Sequence, residues 1–80
     1  MKRIAILGST GSIGRSTLSV AESYPERFQI VALAAGANLE AAFEQARRWR
    51  PRVISIASEA DADILRSRLK KEELGEIEVV

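Results

Sequence analysis

Glycine recurs at every third position near the start of the chain, in the segment ILGSTGSIGRST: Gly8, Gly11 and Gly14. Residues with hydroxyl side chains occupy most of the sequence positions between these glycines: Ser9, Thr10 and Ser12. Glycine lets a backbone turn tightly and approach a ligand closely. A helix N-terminus offers free N–H groups and a partial positive charge to anions. If this segment joins a strand to a helix, it predicts a turn that binds the phosphates of a nucleotide.

Each glycine has its own expected role. Gly8 lets the chain leave a strand in a tight turn, Gly11 lets the backbone approach a pyrophosphate, and Gly14 lets the helix lie close to the sheet. The spacing G-x-x-G-x-x-G differs from the standard G-x-G-x-x-G, so the motif needs a strand before it and a helix after it. A P-loop is excluded, because Ser9 and Arg15 stand where that motif requires glycine and lysine. A glycine-rich turn that only packs is the alternative.

The surrounding pattern supplies the required context. The apolar run 3–7 predicts a strand, and apolar residues at helical spacing from Ser12 predict a helix that ends before Pro25. Further helices are predicted after the capping residues Asn38 and Ser58. Further strands are predicted at 28–35, 52–57 and 77–80. The order β-α-β-α-β-α-β predicts an α/β fold, a Rossmann-like doubly wound parallel sheet with helices on its faces and strand order 3-2-1-4.

Length and composition exclude several classes of function. The 80 residues suffice for one small domain, and a net charge of +1 gives no reason to expect nucleic acid or an anionic membrane as a partner. The absence of cysteine and histidine excludes disulfides, Cys/His zinc sites and thiol or imidazole catalysis within this chain. It also fits a cytoplasmic location. Since the last predicted strand would leave a sheet edge exposed, we expect an incomplete sheet, one half of a larger nucleotide-binding domain.

The end of the second predicted strand, LAAGAN, bears on which cofactor is preferred. A site selective for NAD places Asp or Glu there to bind the ribose 2′-hydroxyl. Here no acid occurs before Glu40, inside the next helix, so a 2′-phosphate is not repelled and NADPH is favoured over NADH. No Lys or Arg lies at 34–40 to pair with that phosphate, although Arg15 could reach it from the first helix. The alternative is that Gly36 and Asn38 serve only as a turn and an N-cap.

Three segments together resemble the N-terminus of the 1-deoxy-D-xylulose 5-phosphate reductoisomerase family: KRIAILGSTGSIGRSTLSV, YPERFQIVALAAGANLE and WRPRVISIA. The resemblance runs through most of the chain and is densest over 2–40. It implies an NADPH-dependent enzyme of non-mevalonate isoprenoid biosynthesis, which converts 1-deoxy-D-xylulose 5-phosphate to 2-C-methyl-D-erythritol 4-phosphate. It also implies a divalent cation, Mg or Mn, a sugar-phosphate substrate and a homodimer.

The resemblance also implies site residues. In the family, cofactor contacts come from the positions that match Thr10, Gly11, Ser12, Ile13, Gly36 and Asn38. Together with the glycine turn, the expected cofactor-binding residues are Gly8, Ser9, Thr10, Gly11, Ser12, Ile13, Gly14, Gly36, Ala37 and Asn38. The family usually has Lys or Arg at the position of Ala37, where it helps to hold the 2′-phosphate, so this chain departs there. The catalytic residues, metal ligands and C-terminal domains are implied to lie outside residues 1–80, and the chain alone is expected to be inactive.

Two alternatives share the same glycine turn. One is another NADP-dependent oxidoreductase, similar to a semialdehyde dehydrogenase, for which a nucleophilic cysteine further along the chain would argue. The other is a module that senses a nucleotide without turnover, for which an adjoining DNA-binding or oligomerisation segment would argue. The turn cannot separate them, because function depends on the site rather than on the fold.

Overall fold

The computed structural model describes all 80 residues as an alternation of four strands and three helices. The elements are β1 Lys2–Leu7, α1 Ser12–Ser23, β2 Phe28–Ala34, α2 Leu39–Trp49, β3 Val53–Ser55, α3 Glu59–Lys71 and β4 Glu78–Val79. All neighbouring strands run parallel, which confirms the predicted α/β fold with a parallel sheet. None of the three helices is long and apolar enough to cross a membrane.

The helix ends follow the local signals in the sequence. The Asn38 Oδ1 accepts a hydrogen bond from the Ala41 N–H at 3.0 Å, and the Ser58 Oγ accepts one from the Asp61 N–H at 3.1 Å. Both side chains therefore cap their helices as predicted. At the other end of α2, Arg50 adopts a left-handed conformation with φ 46° and its N–H donates to the Ala46 carbonyl. This conformation ends the helix.

The strand order in the sheet is β1-β2-β3-β4. The first three strands lie in the predicted order, but the prediction 3-2-1-4 is wrong for β4, which pairs with β3 instead of β1. Backbone hydrogen bonds fix this position, because the Glu78 N–H donates to the Arg52 carbonyl at 2.9 Å and the Val80 N–H to the Ile54 carbonyl at 3.0 Å. The Arg66 side chain in α3 also donates to the Val79 carbonyl at 2.8 Å. The free edge of β3 is thus filled by the strand that follows it.

The three helices pack on one face of the sheet, whereas helices were expected on both. Each right-handed crossover advances the chain by one strand in the same direction, so each helix falls on the same side. One continuous core joins the helices to the sheet and includes Ile6, Leu18, Ala21, Ile30, Phe43, Ile54, Leu65, Leu69 and Val79. The opposite face carries the small residues Ala5, Ala32 and Ala34, the half-buried Val53 and the exposed Leu7.

This arrangement determines where a ligand site can lie. Because the strands are parallel and each is followed by a helix, the carboxyl ends of the strands and the N-termini of the helices meet at one edge of the sheet. The loops at 8–11, 35–38 and 56–58 lie along that edge. The predicted cofactor residues come from the first two of these loops and the helix starts beside them.

Candidate functional site

The first loop is a tight turn that leads directly from β1 into α1. Gly8 has φ +69°, in the left-handed region that favours glycine. The Gly11 N–H donates to the Gly8 carbonyl at 3.0 Å and closes the turn, and Gly11 is also the N-cap of α1. The structure thus confirms the predicted tight turn at Gly8.

Gly14 brings α1 against the turn. A Cβ at this position would overlap the carbonyl oxygen of Gly8 and would lie 2.7 Å from the Cα of Ser9. Both are backbone atoms, which cannot rotate away. A Cβ at Gly11 would meet only the Gly8 carbonyl oxygen, at 3.4 Å. The close packing predicted for Gly14 is therefore confirmed, while the protein's own packing leaves room for a side chain at Gly11.

The N-terminus of α1 differs from those of the other two helices. Gly11 has no side chain to cap the helix, and the first turn of α1 contains no acid. In contrast, α2 and α3 are capped by the side chains of Asn38 and Ser58 and carry acids in their first turns. The first N–H groups of a helix have no partner within it. At α1 these groups, with the exposed residues Ser12 and Ile13 around them, are left for an external acceptor.

Three hydrogen bonds fix the turn to the elements beneath it. The Ser9 N–H donates to the Ala34 carbonyl at 2.9 Å, which extends the pairing of β1 with β2. The Thr10 hydroxyl donates to the Ala35 carbonyl at 2.6 Å. The Gln45 Nε2, in α2, donates to the Ser9 carbonyl at 2.7 Å. The conformation of the turn is therefore set before any ligand arrives.

Gln45 is the residue of this site that the sequence reading missed. Helical periodicity shows only the apolar stripe of α2, and Gln45 is a polar residue at the border of that stripe, between Phe43 and Ala46. A glutamine at a half-buried helical position was the available signal. The Gln45 Oε1 and the Ser9 Oγ are buried without a hydrogen-bond partner. An unpaired buried polar group costs about 1–3 kcal/mol, so the region under the turn is not optimised for stability alone.

The second loop lies beside the turn. Gly36 has φ +69°, and its carbonyl accepts a hydrogen bond from the Ala57 N–H at 2.8 Å. Ala37 is exposed, and the side-chain oxygen of Asn38 is used to cap α2. Through the bond from Thr10 to the residue before Gly36, the structure brings the two predicted groups of site residues together at one edge of the sheet.

The charges at this edge suit an anion. The nearest acid in sequence after the second loop, Glu40, accepts hydrogen bonds from Arg68 of α3 at 2.7 and 3.2 Å. This hydrogen bonding, together with the positive charge of Arg68, lowers the pKa of the Glu40 carboxyl. Its negative charge is therefore paired. The Arg15 Nε donates to the Thr10 carbonyl at 2.8 Å, and no carboxylate pairs with Arg15.

A divalent cation does not fit the residues present. No group of three or more His, Cys, Asp or Glu side chains is arranged so that it could hold a metal ion. Hard cations need several oxygen ligands that converge on one point. We therefore assign no residue of this chain to a metal.

Comparison with known proteins identifies the family. The sequence model of the 1-deoxy-D-xylulose 5-phosphate reductoisomerase family matches residues 4–80. The chain belongs to this family. The reductoisomerase of Desulforamulus reducens is 53% identical over 74 residues, which cover 92% of this chain and 19% of that protein. The reductoisomerase of Methylococcus capsulatus is 50% identical over 80 residues, which cover 100% of this chain and 20% of that protein. This chain thus spans about a fifth of the length of the reductoisomerases it matches.

Solved reductoisomerase structures share the fold. A crystal structure of DOX-P reductoisomerase in complex with NADPH, fosmidomycin and magnesium superposes with a TM-score of 0.92 and 29% identity, over 100% of this chain and 19% of that one. The reductoisomerase of Zymomonas mobilis in complex with NADPH superposes with a TM-score of 0.84 and 31% identity, over 98% of this chain and 20% of that one. The membership suggested by the sequence resemblance is confirmed.

Proposed function

We propose that residues 1–80 form the N-terminal part of the NADPH-binding domain of a 1-deoxy-D-xylulose 5-phosphate reductoisomerase. The observation that carries this proposal is the N-terminus of α1, which has no side-chain cap and no acid in its first turn. The glycine turn that precedes it is already fixed by hydrogen bonds from Thr10 and Gln45. Such a turn suits a pyrophosphate, which accepts hydrogen bonds and brings negative charge. Two solved relatives that contain NADPH support the choice of ligand.

The proposed cofactor-binding residues are those expected from the sequence: Gly8, Ser9, Thr10, Gly11, Ser12, Ile13, Gly14, Gly36, Ala37 and Asn38. In this proposal, the free N–H groups at Ser12 and Ile13 donate to the pyrophosphate, and the open surface at Gly11 lets it approach. Ser9 is fully buried and acts by holding the turn from beneath. The second loop receives the ribose of the adenosine. When bound, NADPH supplies the hydride, and these residues bind and orient it.

The remainder of the reaction is assigned outside this chain. We propose that the complete enzyme converts 1-deoxy-D-xylulose 5-phosphate to 2-C-methyl-D-erythritol 4-phosphate, with Mg or Mn and the sugar phosphate held by later domains. A relative bound to fosmidomycin and magnesium supports this division, since its chain is about five times as long as the part that matches here. On this proposal residues 1–80 alone are inactive, and the complete enzyme is a cytoplasmic homodimer.

Replacing Gly11 tests the proposal. In the full-length protein, Gly11→Val places a branched side chain where the pyrophosphate must approach. We expect the Kd for NADPH, measured by calorimetric titration, to rise at least about tenfold, equivalent to about 1.4 kcal/mol. The matched control is Gly75→Val, because a Cβ at Gly75 meets nothing nearer than 3.9 Å and lies away from the turn. Circular dichroism verifies that both variants are folded. Unchanged NADPH affinity in Gly11→Val would refute the assignment of the turn.

A further inference from the structure

We propose that Arg15 pairs with the 2′-phosphate of NADPH and so sets the preference of this protein for NADPH over NADH. The proposal rests on the function proposed above and adds a residue that selects between the two cofactors. In dinucleotide-binding folds, the adenosine ribose lies beyond the end of the second strand, and an arginine nearby can accommodate the 2′-phosphate.

The second loop itself supplies no cation for that phosphate. Residues 34–40 contain neither Lys nor Arg, and the exposed residue at the centre of the loop is Ala37. Glu40 is the acid in this stretch, and Arg68 already pairs with it. The loop therefore does not repel a phosphate but offers only N–H groups to hold it. Positive charge has to come from another element.

Arg15 lies on the side of α1 that faces this loop. Glu22, seven residues later, shares its helix face, since two helical turns separate them. The Glu22 carboxylate pairs with Arg48 of α2 at 2.9 Å, so this face of α1 points towards α2. Side chains of a helix lean towards its N-terminus, which brings Arg15 to the sheet edge where α2 also begins.

Two hydrogen bonds connect the Arg15 guanidinium to the end of β2. Its Nε donates to the Thr10 carbonyl at 2.8 Å, and the Thr10 hydroxyl donates to the Ala35 carbonyl at 2.6 Å. Ala35 immediately precedes Gly36 in the second loop. The guanidinium is thus held at Thr10, the residue of the glycine turn that is itself bonded to the start of the second loop.

The rest of the guanidinium is available to a ligand. Only the Nε of Arg15 takes part in a hydrogen bond within the protein, and the side chain is exposed and has no carboxylate partner. The two terminal nitrogens can form the paired hydrogen bonds that arginine makes to phosphate oxygens. The other arginines of the helices are in ion pairs: Arg47, Arg48, Arg66 and Arg68. Arg15 is therefore the cation that this sheet edge offers to a phosphate.

The test compares cofactors with and without the 2′-phosphate on the full-length protein. Affinities for NADPH and NADH, and for adenosine 2′,5′-bisphosphate and AMP, are measured by calorimetry. For Arg15→Gln we expect the affinity for the two 2′-phosphorylated ligands to fall about 10- to 100-fold, the range of charge-assisted hydrogen bonds. The affinity for NADH and AMP should stay within about twofold. Arg15→Lys should show a smaller loss, since it keeps the charge without the planar fork.

The control variant is Arg52→Gln, which removes an exposed arginine just before β3. Arg52 lies at the amino ends of the strands, whereas the site lies at their carboxyl ends. This variant should change none of the four affinities. Equal weakening of NADPH and NADH by Arg15→Gln would overturn the proposal, because Arg15 would then act only through the Thr10 carbonyl on the shape of the turn. Unchanged NADPH affinity would also overturn it. If the unmodified, folded protein binds neither cofactor, the proposed function itself fails, which is a separate result.

Discussion

Substitution of Gly14 by alanine should destabilise the protein much more than the same change at another glycine. The new Cβ would overlap the Gly8 carbonyl oxygen and would lie 2.7 Å from the Ser9 Cα and 2.9 Å from the Gly8 carbonyl carbon. Atoms in folded proteins do not approach a Cβ this closely. Because all three obstacles are backbone atoms of a turn anchored by hydrogen bonds, the clash is relieved only if α1 moves away from β1.

The expected cost follows from two opposing effects. Overpacking of this kind costs typically 1–3 kcal/mol, and a backbone clash belongs at the upper end of that range or beyond it. Replacing glycine by alanine in a helix returns up to about 1 kcal/mol of helix propensity. We therefore expect a net loss of about 2 kcal/mol or more. A domain of this length has a total stability of about 4–12 kcal/mol, so the loss is a substantial fraction.

The assay is reversible unfolding in urea followed by circular dichroism, with thermal melts in parallel. At about 4–8 °C per kcal/mol for a domain of this size, the Tm of Gly14→Ala should fall by about 8–16 °C or more. The matched control is Gly75→Ala, whose Cβ would be in ordinary contact with Lys70 at 3.9 Å. Its stability should change by less than about 0.5 kcal/mol. Equal stability of the two variants would refute the inferred close approach of α1 to the turn.

Two further predictions concern pairs of polar groups. Gln45→Glu replaces the donor to the Ser9 carbonyl by an oxygen that donates only when protonated. We therefore expect the free energy of unfolding to fall by about 1–3 kcal/mol near pH 7. Because the folded state disfavours the charged form and so raises the pKa of the new carboxyl, this loss shrinks as the pH falls from the raised pKa to the ordinary pKa of glutamate. Equal losses at about pH 7 and pH 4 in urea unfolding would refute this reasoning. Arg68→Gln should return the lowered pKa of Glu40 to its ordinary value, measured by NMR titration. A lowered carboxyl pKa stabilises the fold when the pH is above the ordinary pKa, and this stabilisation is lost as the pH falls through the folded-state pKa. The difference in unfolding free energy between Arg68→Gln and the unmodified protein should therefore narrow at low pH. A difference that stays constant would mean that only the contact of Arg68 with the Phe43 ring was lost.

The sequence was most informative where local chemistry determines structure. The helix starts at Leu39 and Glu59 were predictable because Asn38 and Ser58 are strong caps, and the end of α1 because Pro25 follows closely. Gly8 was predictable as the residue of a tight turn for a similar reason, and its positive φ is how it makes that turn. These features depend on a few residues near one another in the chain. The pattern of buried strands gave the parallel α/β class in the same way.

The position of β4 depends on a choice that no local residue encodes. The segment IEVV has the same apolar pattern whether it joins the free edge of β1 or that of β3. Its position is set by contacts with residues that are distant in sequence, such as the hydrogen bond from the Arg66 side chain to the Val79 carbonyl. The role of Gln45 escaped prediction for the same reason, since its partner Ser9 lies 36 residues away. The periodicity of apolar residues predicts helices and strands, but it does not predict hydrogen bonds between residues that are distant in sequence.

Strand order that follows chain order has a consequence for synthesis on the ribosome. Each strand joins the edge left by the strand before it, with partners roughly 25 residues apart in sequence. At roughly 5–20 residues per second, each such unit takes seconds to emerge, whereas a helix forms within microseconds. The sheet and the helices packed on it can therefore form one strand and one helix at a time during synthesis. Since Gln45 is the last anchor of the glycine turn, we expect the turn to be fixed once α2 has left the ribosome, while the later part of the chain is still being made.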